Sequence, residues 1–316
     1  MGLLRHISWL LAGLALLPAC EFDQDAAFEL QTVAGHFLVE DSLGRPQLWQ
    51  WTPDGMGPEY PFARDAVGDL ARWQEEAWVS LPEQQLLVQF HPQSLAIVQQ
   101  ISTAPYQAHY FQPGSREILL SDTMQKALIF YGKKDGRFLA ADSLGTPGPL
   151  DYRSSHFYVA YAHGLVAIWQ EDALAIRRSH VLPAPITDWQ QEPTFRNIGF
   201  GATDSGLWQV NLNVNDYLLE NDPALTSFEK VRISPYLRRI YEKESLATFR
   251  LSQGQITGVG LTGVQDFEMD FFENQLFFKQ NNQLWRLNLL NNQLIEEGPF
   301  PFSMRKALFF ALPIGE

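Results

Sequence analysis

The sequence predicts an all-β protein built from seven similar units of four antiparallel strands, and three observations carry this prediction. First, short apolar runs of one character recur 38 to 41 residues apart through nearly the whole chain. Second, turn-forming residues follow most of these runs, as expected in a strand meander. Third, no stretch keeps an apolar pattern at the helical period. A strand-built repeat of about forty residues is typical of a β-propeller blade, so we expect a seven-bladed β-propeller of four-stranded antiparallel blades.

The recurring run is expected to be the third strand of each blade. Its seven copies are Leu48-Trp49-Gln50-Trp51, Leu87-Val88-Gln89-Phe90, Leu128-Ile129-Phe130-Tyr131, Val166-Ala167-Ile168-Trp169, Leu207-Trp208-Gln209-Val210, Leu246-Ala247-Thr248-Phe249 and Leu284-Trp285-Arg286-Leu287. The first and fourth residues are apolar in every copy, and these positions point to opposite faces of a strand. Both faces are therefore expected to pack against neighbouring blades, which assigns the recurring aromatic residues to packing rather than to a sugar-binding stripe.

The last unit shows the strands of one blade most clearly. Its four strands are predicted over residues 267–271, 275–279, 284–289 and 293–297. Turns are predicted at Asn281-Asn282 and Asn291-Asn292, since asparagine tolerates positive φ. One repeat further on, residues 306–312 are expected to complete the first blade from the C-terminal side, although residues 28–32 compete for a place in that blade.

The N-terminus carries an export signal. Arg5 precedes an apolar stretch, from Ile7 to Leu17, that is too short to span a bilayer. The stretch ends in Leu17-Pro18-Ala19-Cys20, which resembles the lipobox of bacterial lipoproteins. In that family the cysteine is lipidated and becomes the first residue of the mature chain. An ordinary secretory signal with an incidental cysteine is the alternative.

The resemblance implies a division of the chain and a location. Residues 1–19 would be a signal peptide that is removed, residues 20–27 a lipidated tether, and residues 28–316 a single propeller domain. Acyl chains such as palmitate on Cys20 would hold the protein to a membrane. Glu21 stands where that family places an aspartate for inner-membrane retention, so the resemblance implies the periplasmic face of the outer membrane. Cys20 is also the only cysteine, which leaves no internal disulfide.

The charge excludes one class of partner. The formal net charge is −13, and it becomes more negative without Arg5. Such a surface repels nucleic acid and anionic lipid headgroups, so no nucleic-acid partner is expected. It favours basic partners or cations, or serves solubility alone.

An acidic residue recurs before the predicted first strands. This residue recurs in step with the repeat, at Asp69, Asp151, Asp188 and Asp266. His109 stands in the corresponding place in the unit between the first two. First strands of a blade line the central channel, so these residues are expected to form a ring that binds Ca²⁺ or a basic ligand group. The alternative is that each aspartate caps a local turn by accepting backbone N–H bonds.

A second group of candidates lies in loops that should gather on one face of the propeller. These mixed polar residues are Arg45, Asp122, His163, Asp204 and Glu244. They form no triad pattern, and His163-Gly164 reads more readily as a turn than as a catalytic pair. The histidines have no zinc-ligand spacing, and no nucleophile elbow, phosphate loop or dinucleotide fingerprint is present. No catalytic residue, metal site or cofactor beyond the candidate Ca²⁺ is therefore predicted.

The sequence signatures of known propeller families are mostly absent from this chain. The patterns of WD40, kelch and quinoprotein repeats are absent, and only the last unit loosely resembles the NHL and gluconolactonase-type propellers, so no site residues are transferred. The general plan resembles propeller lipoproteins that scaffold envelope assemblies. We therefore expect an outer-membrane-anchored, periplasmic propeller that binds an envelope protein or a small ligand. The alternative is a hydrolase or sugar dehydrogenase that uses the carboxylates at the channel mouth, with or without a divalent metal.

Overall fold

A computed structural model describes twelve stretches of the chain, and all structural statements below concern these stretches. They are residues 30–56, 60–62, 66–142, 144–191, 198–213, 216–219, 230–232, 239–243, 246–250, 256–257, 263–270 and 272–313. The predicted signal peptide, Cys20 and the tether lie outside the described residues. Apart from strands, the regular secondary structure of the described residues consists of one 3₁₀ turn, Pro82–Gln84.

The strands of the first half of the chain are β1 Leu30–Glu40, β2 Pro46–Thr52, β3 Gly55–Met56, β4 Leu70–Trp73, β5 Glu76–Leu81, β6 Leu86–Phe90, β7 Ile97–Ser102, β8 Tyr110–Pro113, β9 Glu117–Asp122, β10 Ala127–Gly132, β11 Phe138–Asp142, β12 Pro147–Arg153, β13 His156–Tyr161, β14 Leu165–Gln170 and β15 Ala175–Val181. Those of the second half are β16 Ile186–Gln191, β17 Ile198–Thr203, β18 Gly206–Asn211, β19 Asp216–Leu219, β20 Lys230–Arg232, β21 Arg239–Lys243, β22 Leu246–Arg250, β23 Ile256–Thr257, β24 Asp266–Asp270, β25 Gln275–Gln280, β26 Gln283–Asn288, β27 Leu294–Pro299 and β28 Ser303–Pro313.

The described strands pair into antiparallel four-stranded sheets in a β-propeller arrangement. Six sheets take consecutive strands, namely β4–β7, β8–β11, β12–β15, β16–β19, β20–β23 and β24–β27, and a further sheet has the order β28-β1-β2-β3. In the sheet β20–β23 the side chains are described only for Lys230–Arg232. The all-β class and the four-stranded antiparallel blades are therefore confirmed.

Neighbouring sheets meet along their inner strands. β28 lies beside β4, and the series continues through β8, β12, β16 and β20; β24 contacts β28 on its other side and also contacts β22. These inner strands are the first strands of their sheets, as the sequence predicts, and β28 takes this role in the sheet that contains β1.

The predicted third strands are correct in all seven units, because β2, β6, β10, β14, β18, β22 and β26 contain the recurring runs. Their two apolar positions face different neighbours. In β6, Phe90 packs with Leu38 and Leu48 of the sheet before it. Leu87 packs with Phe111 and Ile118 of the sheet after it. The packing role assigned to the recurring apolar residues is thus confirmed for this blade.

The first sheet closes with strands from both ends of the chain. Residues 306–312 lie within β28, as predicted, and β28 pairs with β1 from Leu30 opposite Pro313 to Glu40 opposite Ser303. The described part of the competing segment, Leu30 to Thr32, is the beginning of β1 and not a separate strand. The two predictions for this blade are thereby reconciled.

None of the described residues forms a helix that is both long and apolar enough to cross a membrane.

Candidate functional site

A cavity of about 420 Å³ lies between the inner strands of the sheets. Every inner strand or the residue just before it contributes to its wall, so the cavity occupies the channel that the sequence predicts. Its acidic lining residues are Asp69, Asp151, Asp188 and Glu268. Its basic lining residues are Arg72, Lys230, Arg232, Arg305 and Lys306. We call the end at which the inner strands begin the channel mouth.

Three of the recurring aspartates hold the beginning of the next inner strand. Asp69 Oδ2 accepts a hydrogen bond from the backbone N–H of Phe111, at 3.2 Å. Asp188 Oδ2 accepts one from Val231 N at 3.0 Å, and Asp266 Oδ2 accepts one from Met304 N at 2.5 Å.

Two of these side chains also cap their own strand. Asp69 Oδ1 accepts from Leu70 N at 2.7 Å, and Asp266 Oδ1 accepts from Phe267 N at 2.8 Å. The turn-capping alternative therefore explains why an aspartate recurs here. Sequence reasoning did not anticipate that the same carboxylate would also link neighbouring blades.

The carboxylates also meet basic side chains of the same chain. Lys306 Nζ lies 3.1 Å from Asp69 Oδ1. Arg232 Nη1 lies 2.7 Å from Asp188 Oδ2, and Lys230 Nζ lies 2.6 Å from Asp266 Oδ1. Three of the carboxylates that were expected to bind Ca²⁺ or a basic ligand group are therefore paired with cations of the same chain.

Glu268 joins two of these pairs into one network. Its Oε1 lies 2.7 Å from Arg232 Nη2 and 3.2 Å from Lys230 Nζ. Burial acts to raise the pKa of Glu268, but the charges of Arg232 and Lys230 outweigh burial and lower it. The pKa of Asp266 is raised, because burial and the neighbouring Glu268 oppose the influence of Lys230. We call Asp188, Lys230, Arg232, Asp266 and Glu268 the ion-pair seam, since they join the sheets that contain β16, β20 and β24.

Asp151 and His109 differ from the other three candidates. The pairing of β12 with β13 shifts register between Pro147 and Leu150, just before Asp151. Its Oδ1 accepts a hydrogen bond from Tyr152 N at 2.7 Å, and Asp151 still lines the cavity.

His109 lies one residue before the position that faces the channel. Tyr110, not His109, is among the residues that line the cavity. His109 Nδ1 accepts a hydrogen bond from Thr123 N at 3.3 Å and lies 3.8 Å from Asp122 Oδ1. His109 therefore belongs to a turn at the channel mouth.

The described residues contain no group of three or more His, Cys, Asp or Glu side chains that is placed to hold a metal ion. The Ca²⁺ hypothesis therefore has no ligand set in this part of the chain.

The loop candidates lie in turns between second and third strands, as expected. Arg45 is exposed and pairs with Asp41, with Nη2 2.5 Å from Oδ2. His163 is also exposed, with its ring 5.8 Å from that of Tyr161. Asp204 is exposed between β17 and β18, and Glu244 lies outside the described residues.

Asp122 is fully buried, unlike the other described loop candidates. It accepts hydrogen bonds from the backbone N–H groups of Gln107, Met124 and Gln125 at 2.9 to 3.0 Å. This carboxylate orders its turn and is not displayed to a partner.

The basic residues of the cavity were missed by sequence reasoning. Lys230 follows Asp188 by 42 residues and precedes Asp266 by 36, so it stands within one residue of the recurring position in the sixth unit. That spacing was an available signal. The same signal pointed to Lys306, which follows Asp266 by 40 residues and begins the segment that was predicted to complete the first blade.

Comparison with known proteins supports the fold alone. No family model and no curated protein matches this chain. Among solved structures, 1424 chains match, so this architecture is widespread and does not by itself indicate a function. One similar structure is the crystal structure of the computationally designed Ika8 protein, which matches with a TM-score of 0.59 and 10% identity. The match covers 86% of this chain and 89% of the designed chain.

Proposed function

We propose that this protein is a lipoprotein anchored to the outer membrane through Cys20, and that its propeller binds a periplasmic protein or a small ligand at the channel mouth. We further propose that its sheets close into one ring of seven blades. The observation that carries the functional proposal is the position of Leu30, the first described residue, relative to the channel mouth.

Leu30, the first described residue, and the channel mouth lie at opposite ends of β1. Met304, near the start of β28, donates to Asp266 at the channel mouth. β1 runs antiparallel to β28, with Leu30 opposite Pro313. The chain therefore enters the propeller at the face opposite the mouth.

The lengths involved favour one orientation at the membrane. β1 has 11 residues and is about 33 Å long at about 3.3 Å per residue. The ten residue-to-residue steps from Cys20 to Leu30 span at most about 33–36 Å when the chain is fully extended. This reach is no longer than β1 itself, so the tether is too short to let the channel mouth turn towards the bilayer. An anchored propeller would therefore present its mouth to the periplasm.

The chemistry of the cavity favours binding over catalysis. The carboxylates of Asp69, Asp188 and Asp266 are occupied by backbone N–H groups and by lysine or arginine partners. A general acid or base needs a carboxyl group that is free to exchange a proton with a substrate. No described contact favours the hydrolase or dehydrogenase alternative.

The anchoring proposal is tested by acyl labelling in cells that express the full chain. Incorporation of a labelled palmitate analogue is expected for the native chain and is expected to be lost in Cys20→Ala. Labelling that persists in Cys20→Ala would contradict lipidation at this residue.

The binding proposal is tested by recovery of envelope partners with the native chain. Charge reversal at the exposed mouth residue Arg45 (Arg45→Glu) is expected to weaken recovery of a partner that docks on this face. A matched control is Asp172→Lys, which reverses an exposed charge in the turn between β14 and β15 on the opposite face. Loss of the partner only with the control would contradict binding at the mouth.

A further inference from the structure

The inner strand β28 carries an extra residue where it lines the channel. Its register against β1 shifts between Leu38 and Val39, whose partners are Lys306 and Met304. Arg305 lies between these two partners and is the extra residue of a β-bulge. Consecutive residues of a regular strand point to opposite faces, but a bulge can re-aim a side chain. Arg305 and Lys306 accordingly both line the cavity, although they are neighbours in sequence.

Two further inner strands have a bulge at the same end of the channel. The register of β12 against β13 and that of β16 against β17 both shift near the beginning of the inner strand. Pro149 and Thr187, which lie within these shifts, line the cavity as Arg305 does. The inner strands β4, β8, β20 and β24 pair without a shift. Bulges are over-represented next to active sites, and of these three bulges the one in β28 adds a charged side chain to the cavity.

The other basic residues of the cavity are held at short range by groups of the same chain. Three of them pair with the aspartates at the channel mouth, at distances of 2.6 to 3.1 Å. Arg72 donates to the backbone carbonyl of Phe309 at 2.5 Å and to Glu75 at 3.2 Å. The ring of Phe310 also covers its guanidinium, with the ring centroid 4.8 Å from Cζ. These cations are therefore occupied by the fold itself.

Arg305 is held less firmly than the other cations. Among the described residues its carboxylate partner is Glu40, at 3.4 Å, which is longer than a normal hydrogen bond, and the two side chains are 36% and 35% exposed. Its other neighbour is the hydroxyl of Tyr110, whose pKa is raised by burial, an effect that the charge of Arg305 opposes. A guanidinium carries five N–H donors in a planar fork, so Arg305 keeps donors that a ligand in the cavity can use.

We propose that the channel cavity binds a small oxyanion, a carboxylate or a phosphate group, through the guanidinium of Arg305. The guanidinium fork matches the geometry of both groups and can donate two parallel N–H bonds to either. The bound anion would replace the long contact with Glu40. The cavity volume of about 420 Å³ falls in the range of small-molecule sites. This inference rests on the proposed binding of a small ligand at the channel mouth and names its chemical class.

The test uses the full-length chain carrying Cys20→Ala, purified without detergent, and saturation-transfer NMR with three probes that share one ring. Benzoate carries a carboxylate, phenyl phosphate carries a phosphate, and benzamide is neutral. Transfer is expected to at least one of the two anions, and titration of both distinguishes a carboxylate site from a phosphate site. Benzamide is expected to bind at least about tenfold more weakly, because it lacks the charge-assisted hydrogen bonds. The proposal is wrong if neither anion shows transfer from the folded protein, or if benzamide binds as tightly as the anions.

Variants of Arg305 test whether its guanidinium holds the anion. Arg305→Gln is expected to lower the affinity for the anion at least about tenfold and to leave benzamide unaffected. Arg305→Lys keeps the charge without the fork, so its loss is expected to be intermediate. Thermal melts verify that each variant folds. Unchanged anion affinity in a folded Arg305→Gln protein would contradict the proposal.

A variant of Glu40 tests the competition for the same guanidinium. Glu40→Gln removes the competing carboxylate and is expected to tighten anion binding by about two- to fivefold. Asp172→Asn removes the same charge from the exposed turn between β14 and β15 on the opposite face and is expected to change nothing. Equal tightening in both variants would assign the effect to net charge and would contradict a site at Arg305. Acyl labelling and partner recovery do not depend on these probes, so they remain intact if only the ligand class is wrong.

Discussion

Two regions join neighbouring blades in different ways. The ion-pair seam holds the sheets of β16, β20 and β24 together with directional contacts between charged groups. The sheet that joins the two chain ends packs on β24–β27 largely through aromatic rings, in addition to the hydrogen bond from Met304 N to Asp266 Oδ2. Phe277 lies at its centre, with ring centroids 4.9 Å from Trp51, 5.1 Å from Phe309 and 5.6 Å from Phe37. We call these four residues the aromatic seam.

The two seams differ in the kind of interaction that holds neighbouring blades together. The aromatic seam closes the first blade through buried apolar area, which tolerates small shifts between the two chain ends. The ion-pair seam requires defined partners, and it lies where charged groups line the cavity. Apolar burial therefore dominates in the aromatic seam, whereas charged groups dominate in the ion-pair seam beside the cavity.

The largest expected effect is in the ion-pair seam. Lys230→Ala leaves Asp266 and Glu268 buried without one of their cations, which should cost about 3–5 kcal/mol of unfolding free energy. The cost should shrink as the pH is lowered, because the raised pKa of Asp266 would allow this carboxyl group to become neutral once its lysine is gone.

Urea unfolding at several pH values measures this effect. Phe277→Ala in the aromatic seam should cost a similar amount, about 3–5 kcal/mol, with no change over the same pH range. An equal pH response in the two variants would contradict the distinction between the seams.

A smaller effect is expected at His36, which lies in β1 and packs against the neighbouring sheet β4–β7. Its ring lies 5.3 Å from Phe90 and 5.6 Å from Phe310. Nε2 donates to the carbonyl of Pro92 at 2.8 Å, and Nδ1 accepts from the Tyr60 hydroxyl at 2.7 Å. Burial lowers the pKa of His36 to about 4, only partly opposed by the bond to Pro92.

The sign of the pH effect follows from this lowered pKa. The unfolded chain takes up a proton at its ordinary pKa of about 6.5, whereas the folded chain resists protonation until about pH 4. Stability should therefore be complete above pH 6.5 and fall by about 3 kcal/mol as the pH drops to 4. In His36→Gln, this acid-dependent loss should be absent from urea titrations; a loss that persists would assign it to other groups.

The smallest of these effects lies within a single sheet, between β16 and β17. A Cβ at Gly199 would come within 2.2 Å of Cζ2 of the Trp189 ring. Gly199→Ala should therefore cost about 1–3 kcal/mol through overpacking. At Gly201 the nearest atom, Leu182 Cδ1, is 3.3 Å away, so Gly201→Ala should cost less. The reverse order in thermal melts would show that Trp189 moves aside freely.

The blade pattern could be predicted because it depends on local signals. The last unit illustrates this, since the observed strands β24 to β27 match the predicted ones to within two residues. Asn281, Asn282 and Asn292 have positive φ, as their turn role requires. Period-two apolar runs and turn residues are sufficient to find such elements.

The chemistry of the channel could be predicted only in part. Asp69, Asp151 and Asp188 do line the cavity. This could be predicted because they recur at the repeat spacing, which indicates where each residue lies in its blade. Their partners depend on which strands become neighbours, and Arg305 meets this channel only because β28 joins the first blade. The repeat spacing predicted that residues 306–312 would join the first blade, but it carries no information on which side chains meet across neighbouring blades.

The orientation at the membrane tests the central proposal most directly. The only natural cysteine is Cys20, so a fluorophore can be attached to a single introduced thiol after lipidation. Leu43→Cys places it in the exposed turn between β1 and β2 at the channel mouth, and Asn292→Cys places it in the exposed turn between β26 and β27 at the opposite face. With the lipidated protein in vesicles that carry a headgroup quencher, the account predicts strong quenching at Asn292→Cys and weak quenching at Leu43→Cys. Stronger quenching at Leu43→Cys would contradict a channel mouth that faces away from the membrane.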